Sequence, residues 1–245
     1  MRIKLDNPSL LSKLVEIISE LVTEVRIKIN SEGMSITAMD PANVSMVTFK
    51  IFKSSFSEFE TGNEALGINL DNLKQILKRC GVGSSLIMES QENFLKIIIQ
   101  DKIKRIFTLN LIEVESEDIN FQEKIANMEF VSEVELYSGD FVAAIEDCHV
   151  VSDACSFVIQ DGKFIIEAKS LNSAMSEFSN EQAKINAENC RAKYSIEYLG
   201  KFMKGAKMSE KTLLRFAEDH PLRIDFKNPD MELSFVLAPR VENID

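Results

Sequence analysis

The pattern of elements along this chain is written twice, and that repetition limits the folds open to it. In the first half a short strand at 3–5 precedes a helical pattern over about 9–22, where Leu10, Leu11, Leu14, Val15, Ile17, Ile18 and Leu21 share one helix face. Alternating strands follow at 25–29, 34–38 and 44–52, the first two joined by a turn at Ser31-Glu32-Gly33. A strand at 66–70 runs into a second helix, which Asp71 is expected to cap and which turns Leu73, Ile76, Leu77 and Cys80 inward. Strands at 85–89, 94–99 and 104–111 close the half.

The second half repeats that order. A strand at 131–137 leads into a helix opened by Ser138-Gly139-Asp140 and carrying Phe141, Ile145 and Cys148. Strands flank a turn at Asp161-Gly162, read as the counterpart of Glu32-Gly33, and alternation continues through Ala174, Glu177 and Phe178 and over 183–187. A fourth helix over about 195–206 turns Ile196, Leu199, Phe202 and Met203 inward, before strands at 212–216, 222–226 and 233–237. Gly162 stands 129 positions after Gly33 and Leu199 stands 126 after Leu73, so one register relates the halves. One repeat is too few for a solenoid. The pattern predicts an α+β fold of two similar domains, 1–112 and 130–245.

The connector over 113–129 carries Glu113, Glu115, Glu117, Asp118, Glu123, Lys124 and Glu129, interrupted by Ile119, Phe121, Ile125 and Met128. It lacks the glycine and proline of a generic linker. Two readings stand: a solvated acidic strap, or a surface segment that presents apolar side chains to partners.

Composition excludes several classes. No stretch approaches the roughly 20 apolar residues of a membrane helix, and the amino terminus is amphipathic rather than a signal peptide. A cytosolic or nuclear protein is expected, with no membrane partner. Cys80, Cys148, Cys155 and Cys190 have no repeating spacing, which suggests reduced, partly buried thiols. Convergent catalytic chemistry is missing. His149 and His220 are far apart, and Cys148 and His149 are helical neighbours whose side chains diverge. Gly81-Val82-Gly83 follows a helix and lacks the third glycine of a dinucleotide fingerprint, so it reads as a helix stop. No catalytic residue, metal site or cofactor is expected.

The formal charge of −11 argues against nucleic acid unless the basic residues are segregated onto one surface. Two helices at equivalent places in the halves are basic. The second carries Lys74, Lys78 and Arg79 against Asp71, and the fourth carries Lys201, Lys204 and Lys207 against Glu197 and Glu210. The first (Lys13, Glu16, Glu20) and third (Asp140, Glu146, Asp147) are mixed or acidic.

These residues resemble the proliferating cell nuclear antigen (PCNA) family of DNA sliding clamps over essentially the whole chain. The resemblance is carried by Glu32-Gly33-Met34-Ser35-Ile36-Thr37-Ala38-Met39-Asp40-Pro41, by Leu66 to Leu70 running into Leu73 to Arg79, and by Leu111-Ile112-Glu113-Val114-Glu115. Tyr194-Ser195-Ile196-Glu197-Tyr198-Leu199, His220-Pro221-Leu222 and Leu237-Ala238-Pro239-Arg240-Val241-Glu242 complete it. It implies a pseudo-sixfold trimeric ring, with helices lining the inner face, antiparallel sheets outside and no catalysis by the ring. The implied partners are double-stranded DNA without sequence preference, an ATP-driven clamp loader, and clients such as DNA polymerase, flap endonuclease and DNA ligase that dock short peptides.

Carried over by position, Lys13, Lys74, Lys78, Arg79, Lys201, Lys204 and Lys207 would face DNA. The peptide pocket would use Met39, Val44, Ile119, Pro221, Val236, Ala238 and Pro239. The sequence departs from the family where relatives often carry basic residues, at Ser12, Ser19, Ala143 and Glu146, and in the connector at Glu117 and Asn120. Subunits would join through edge strands at 103–110 and 172–179, with Arg105, Phe107, Leu109, Met175 and Glu177 at the contact. The bases Lys102, Lys104 and Arg105 would face the single acid Glu177, leaving a homotrimer and a mixed ring of related chains both open. The alternatives are a specialised or damage-signalling heterotrimeric clamp and, from another class, a nucleotide-processing enzyme on a duplicated scaffold.

Overall fold

The structure is a computed structural model that describes residues 1–114, 121–126 and 128–240. Its described residues form two units, one from 1–41, 47–114 and 229–232, the other from 42–46, 121–126, 128–228 and 233–240.

The first unit runs β1 (Arg2–Leu5), α1 (Ser9–Ile18), β2 (Glu24–Asn30), β3 (Gly33–Met39), β4 (Ser45–Phe52), β5 (Glu58–Glu60), β6 (Glu64–Asn69), α2 (Leu70–Leu77), β7 (Ser85–Ser90), β8 (Phe94–Gln100) and β9 (Lys104–Asn110). Strands lie in the orders β5-β1-β7-β8-β9 and β4-β3-β2-β6. The second unit opens with the short helix α3 (Phe121–Ala126), which buries Ile125. It runs β10 (Ser132–Tyr137), α4 (Ser138–His149), β11 (Ala154–Gln160), β12 (Lys163–Lys169), β13 (Ser173–Phe178), β14 (Ala183–Ala187), β15 (Cys190–Ser195), α5 (Ile196–Phe202), β16 (Lys211–Phe216), β17 (Leu222–Asn228) and β18 (Met231–Leu237). Its orders are β14-β10-β16-β17-β18 and β13-β12-β11-β15. Each strand and helix of the first unit thus has a counterpart in the second, in the same place in the same sheet.

The strands explain themselves by period two. β2 alternates buried Val25, Ile27 and Ile29 with more exposed neighbours, and β12 does the same with Phe164, Ile166 and Ala168. The halves fill one plan with different cores. The first is aliphatic around Leu11, Leu14, Leu73, Ile97 and Ile99. The second is built on Phe157, whose ring meets Phe141, Phe164, Tyr194 and Phe216 at centroid distances of 5.9, 5.6, 5.2 and 5.9 Å.

Several local expectations are corrected. α1 ends at Ile18 rather than near 22: the Leu21 and Val22 amides still bond to the Ile18 carbonyl, and both side chains stay buried in the turn, which prolongs the helical rhythm. The cap of α2 is Asn69, not Asp71, since the Asn69 side chain accepts from the Asn72 amide at 3.1 Å. α5 stops at Phe202 and continues as a 3₁₀ segment, Met203–Met208. That segment packs so closely that a Cβ on Gly205 would lie 2.9 Å from Phe226 and Leu233. The hairpins also shift the internal register. Gly33 pairs with Asn30, whereas Lys163 pairs with Gln160, so the counterpart of Gly162 is Glu32, not Gly33. The reason is local: Asp161 and Gly162 both have positive φ (52° and 74°), while the first half spends its glycine where a Cβ would meet the Ile51 carbonyl oxygen at 2.1 Å. Two strands, β5 and β15, are absent from the sequence reading. β5 is only three residues long, and β15 hides its alternation of Cys190, Ala192 and Tyr194 directly before a helix.

The chain leaving β9 is fastened to the edge of its own unit. The Ile112 amide donates to the Gly67 carbonyl at 3.0 Å, and Arg26 Nη2 donates to the Val114 carbonyl at 3.0 Å. A Cβ on Gly67 would sit 2.0 Å from the Ile112 carbonyl oxygen. Gly67→Val should therefore detach this segment, destabilise the chain by about 1–3 kcal/mol and speed cleavage after Glu113 by a glutamate-specific protease. Unchanged urea unfolding and unchanged cleavage would contradict the fastening.

Candidate functional site

In the first unit α1 and α2 pack side by side, and Lys74 bridges them by donating to the Ser19 hydroxyl at 2.9 Å while pairing with Asp71 at 3.3 Å. Lys13, Lys78 and Arg79 are exposed. In the second unit α4 packs against α5 and turns Asp140, Glu146 and Asp147 to solvent. Lys201 is held by Glu197 at 3.0 Å and lies over the Tyr198 ring at 5.0 Å, while Lys204 and Lys207 are exposed. Lys13, Lys78, Arg79, Lys204 and Lys207 are thus exposed, whereas Lys74 and Lys201 are partly covered, Lys74 between α1 and α2 and Lys201 along its own helix.

Of the expected peptide-pocket residues, Met39 ends β3 in the first unit and is half-buried. In the second unit the Ala238 amide donates to the Val44 carbonyl at 2.9 Å, which brings those two together. Val44, Pro221, Ala238 and Pro239 are partly exposed, but Val236 is only 6% exposed and belongs to the core beneath. Ile119 lies outside the described residues, as do Glu117 and Asn120. The sequence reading missed the anchor of this segment. The Arg240 amide donates to the Lys193 carbonyl at 2.7 Å, and the Arg240 guanidinium pairs with Asp153 at 2.8 Å. Nothing in the local sequence points to a partner 87 positions upstream.

Both expected contact strands are outermost in their sheets, β9 beside β8 and β13 beside β12. Along β9, Leu109 is 6% exposed and packs inward, and the apolar side chain offered to solvent is Ile106, at 54%. Arg105, Phe107 and Leu109, all expected at the contact, share the more covered face of β9, with Leu109 the most covered of the three. Arg105 donates to the Arg79 carbonyl at 2.9 Å and pairs with Asp101. On β13 Met175 is 64% exposed, and Glu177 is bound by Lys163 at 2.7 Å. A groove of about 520 Å³ between α2 and β9 is lined by Asn72, Gln75, Ile76, Arg79, Phe107 and Leu109.

His149 is exposed on α4, and His220 sits in a loop with its carbonyl accepting from the buried Tyr194 hydroxyl at 2.7 Å. Burial pushes the Tyr194 hydroxyl up from its ordinary value. Among the described residues no group of three or more His, Cys, Asp or Glu side chains could hold a metal ion, and no helix is long and apolar enough to cross a membrane.

Comparison with known proteins places these features in a family. Residues 1–121 match the family model of the proliferating cell nuclear antigen N-terminal domain, and residues 124–241 match that of its C-terminal domain. The chain is 34% identical over 243 residues to a DNA polymerase sliding clamp of Thermococcus gammatolerans, covering 94% of each chain. It is 30% identical over 245 residues to the sliding clamp of Pyrococcus horikoshii, again covering 94% of each. Among solved structures, a proliferating cellular nuclear antigen from Entamoeba histolytica has the same fold, with a TM-score of 0.88 at 22% identity and 98% of each chain covered. A chain of the PCNA2-PCNA3 complex from Sulfolobus tokodaii matches with a TM-score of 0.86 at 25% identity, covering 99% of this chain and 100% of that one.

The Asp153–Arg240 pair makes a measurable prediction. The hydrogen bond from Arg240 holds the Asp153 carboxyl below its usual range. A lowered folded pKa means the tether contributes fully above the pKa of an unfolded aspartate and is lost as pH falls through the folded value. A carbon-13 NMR titration should show an Asp153 midpoint below the ordinary value of about 3.9, rising towards it in Arg240→Gln. An identical midpoint in the variant would show that the pair does not form in solution.

Proposed function

Because this chain belongs to the proliferating cell nuclear antigen family of DNA polymerase sliding clamps, we propose that three chains close head to tail around duplex DNA and tether polymerases and other enzymes to it. The observation that carries the proposal is the duplication: one plan of two sheets and two helices, written in both units, so that three chains present six similar units. Each chain offers a different outermost strand at the contact, β9 from one and β13 from the next, a heterologous pairing that closes only if the rotation permits. The in-chain pairing of Arg105 with Asp101 and of Glu177 with Lys163 leaves Lys102 and Lys104 as exposed surplus bases at this contact, so a ring of identical chains and a mixed ring with a more acidic partner both fit.

The helices supply the DNA-facing surface in this reading, through Lys13, Lys74, Lys78, Arg79, Lys201, Lys204 and Lys207. Opposing acids on α4 keep the attraction weak. Weak, sequence-independent contact with phosphates suits a ring that must move along its track. Met39, Val44, Ile119, Pro221, Ala238 and Pro239, supported by Val236, would take the short apolar peptides of polymerases, flap endonuclease and DNA ligase, and an ATP-driven loader would open the ring. The ring performs no chemistry on the DNA. It raises the local concentration of enzymes that do.

Changing the exposed set Lys13, Lys78, Arg79 and Lys204 to alanine should leave stability within about 0.5 kcal/mol per site. Polymerase processivity with the loaded ring should fall, and the slope of DNA affinity against salt should lessen by about 0.9 per lost phosphate contact. Lys74→Ala and Lys201→Ala should do less, because both amines are engaged within the chain. Wild-type processivity in the fourfold variant would remove these helix faces from the DNA.

A further inference from the structure

The second unit holds a pair of thiols that the clamp reading leaves unused. Cys148 lies in the last turn of α4 and Cys155 is the second residue of β11, and the two are 0% and 1% exposed. α4 packs on β11, which brings the two thiols within reach of each other. The segment between them is folded tightly back: the Val151 and Ser152 amides both donate to the Cys148 carbonyl at 3.0 Å. The Ser170 hydroxyl fixes the Val151 carbonyl at 2.9 Å, and the Asp153 carbonyl accepts from the Ile196 amide at 2.9 Å. Two thiols are therefore held together by a helix end, a strand and a short braced turn.

We propose that Cys148 and Cys155 are a disulfide-forming site, a two-electron latch between the last turn of α4 and β11 that a hydroperoxide closes. Cys148 is the first nucleophile, because it stands in the last turn of α4 beside exposed residues, whereas Cys155 is enclosed in β11. The Cys148 thiolate attacks the distal peroxide oxygen, the O–O bond breaks and hydroxide leaves, which gives a sulfenic acid at Cys148. Cys155 sulfur then attacks that sulfur, the S–O bond breaks, and the Cys155 proton leaves with the oxygen as water. Two thiols are oxidised by two electrons, and one hydrogen peroxide is reduced to two waters, the hydroxide of the first step taking up the proton that Cys148 released.

Access comes from the position of Cys148. Cys148 lies one residue before the end of α4, and helix ends open at lower free energy than helix centres. His149 and Val150, directly after Cys148, are exposed. The other two cysteines lack such a neighbour: Cys190 and the Ser132 hydroxyl share a hydrogen bond at 2.8 Å, and half-buried Cys80 has Arg105 and Asp101 nearby rather than a second sulfur. Closing the latch tethers the end of α4 to β11 without crossing to any other element.

The test uses the full chain treated with hydrogen peroxide, blocked with an alkylating agent and cut by a protease that cleaves before aspartate. Cleavage at Asp153 separates Cys148 from Cys155. The proposal predicts that the two fragments stay joined, lighter by two hydrogen atoms than their sum, with free thiols falling from four to two. The joined species should vanish with a thiol reductant and in Cys148→Ala or Cys155→Ser, yet persist in the Cys80→Ser, Cys190→Ser double variant. Amide exchange at Val151 and Ser152 should slow in the oxidised chain. If peroxide that modifies Cys80 leaves the fragments unlinked in the wild-type chain, whether as alkylated thiols or as separate sulfinic acids, the proposal is overturned.

Discussion

Both units depend on the same backbone constraint: a strand edge must have its carbonyls and amides satisfied. β6 and β15 occupy equivalent outermost places, and each is met by the chain that leaves the last strand of its own unit. The Ile112 amide reaches the Gly67 carbonyl in one case and the Arg240 amide reaches the Lys193 carbonyl in the other. These contacts fix where the connector begins and where the carboxy-terminal segment runs. They also explain why Gly67 carries no side chain. With those edges engaged, the seven-residue β9 and the six-residue β13 remain as long outermost strands, each carrying an exposed apolar residue suited to another chain.

The duplication survives in pattern rather than in residues because packing constrains period and volume more than identity. An aliphatic core in the first unit and a cluster of aromatic rings around Phe157 in the second satisfy the same arrangement of two sheets and two helices. Charge follows the plan less faithfully. α2 and α5, with the turns that follow them, are both basic although only Lys78 and Lys204 coincide in the internal register, whereas α1 offers one lysine and α4 only acids. The positive charge on the helices is therefore uneven, greater in the first unit than in the second.

Most of the fold was legible because amphipathic periods survive without knowledge of partners. The alternation in β2, β3, β8 and β12 identified strands, and the apolar face of α1 identified a helix. Boundaries failed where buried residues continue beyond an element: Leu21 and Val22 prolong the rhythm of α1 although the helix has ended. Capping failed because Asn69 and Asp71 are both good acceptors, and only the chain direction out of β6 chooses between them. On β9, alternation alone does not say which parity faces inward: Arg105, Phe107 and Leu109 share the more covered one, and Ile106 is the exposed apolar side chain. The ion pairs that brace the candidate sites, Arg240 with Asp153 and Glu177 with Lys163, join separate elements and leave no local trace. The positions of Lys13, Lys78 and Lys204 were legible, because exposed cations on a helix face need no partner to be read.

Holding DNA by enclosure makes a demand that no ordinary binding protein meets. A ring that encircles duplex DNA is retained by topology, so its lifetime on DNA depends on whether the duplex has free ends and only weakly on salt. The direct measurement is retention of the loaded chain on nicked circular DNA at salt high enough to screen phosphate contacts, followed by cutting of the circle with a restriction enzyme. The account predicts stable retention on the circle and loss soon after linearisation. Equal dissociation from the intact and the cut DNA would contradict it.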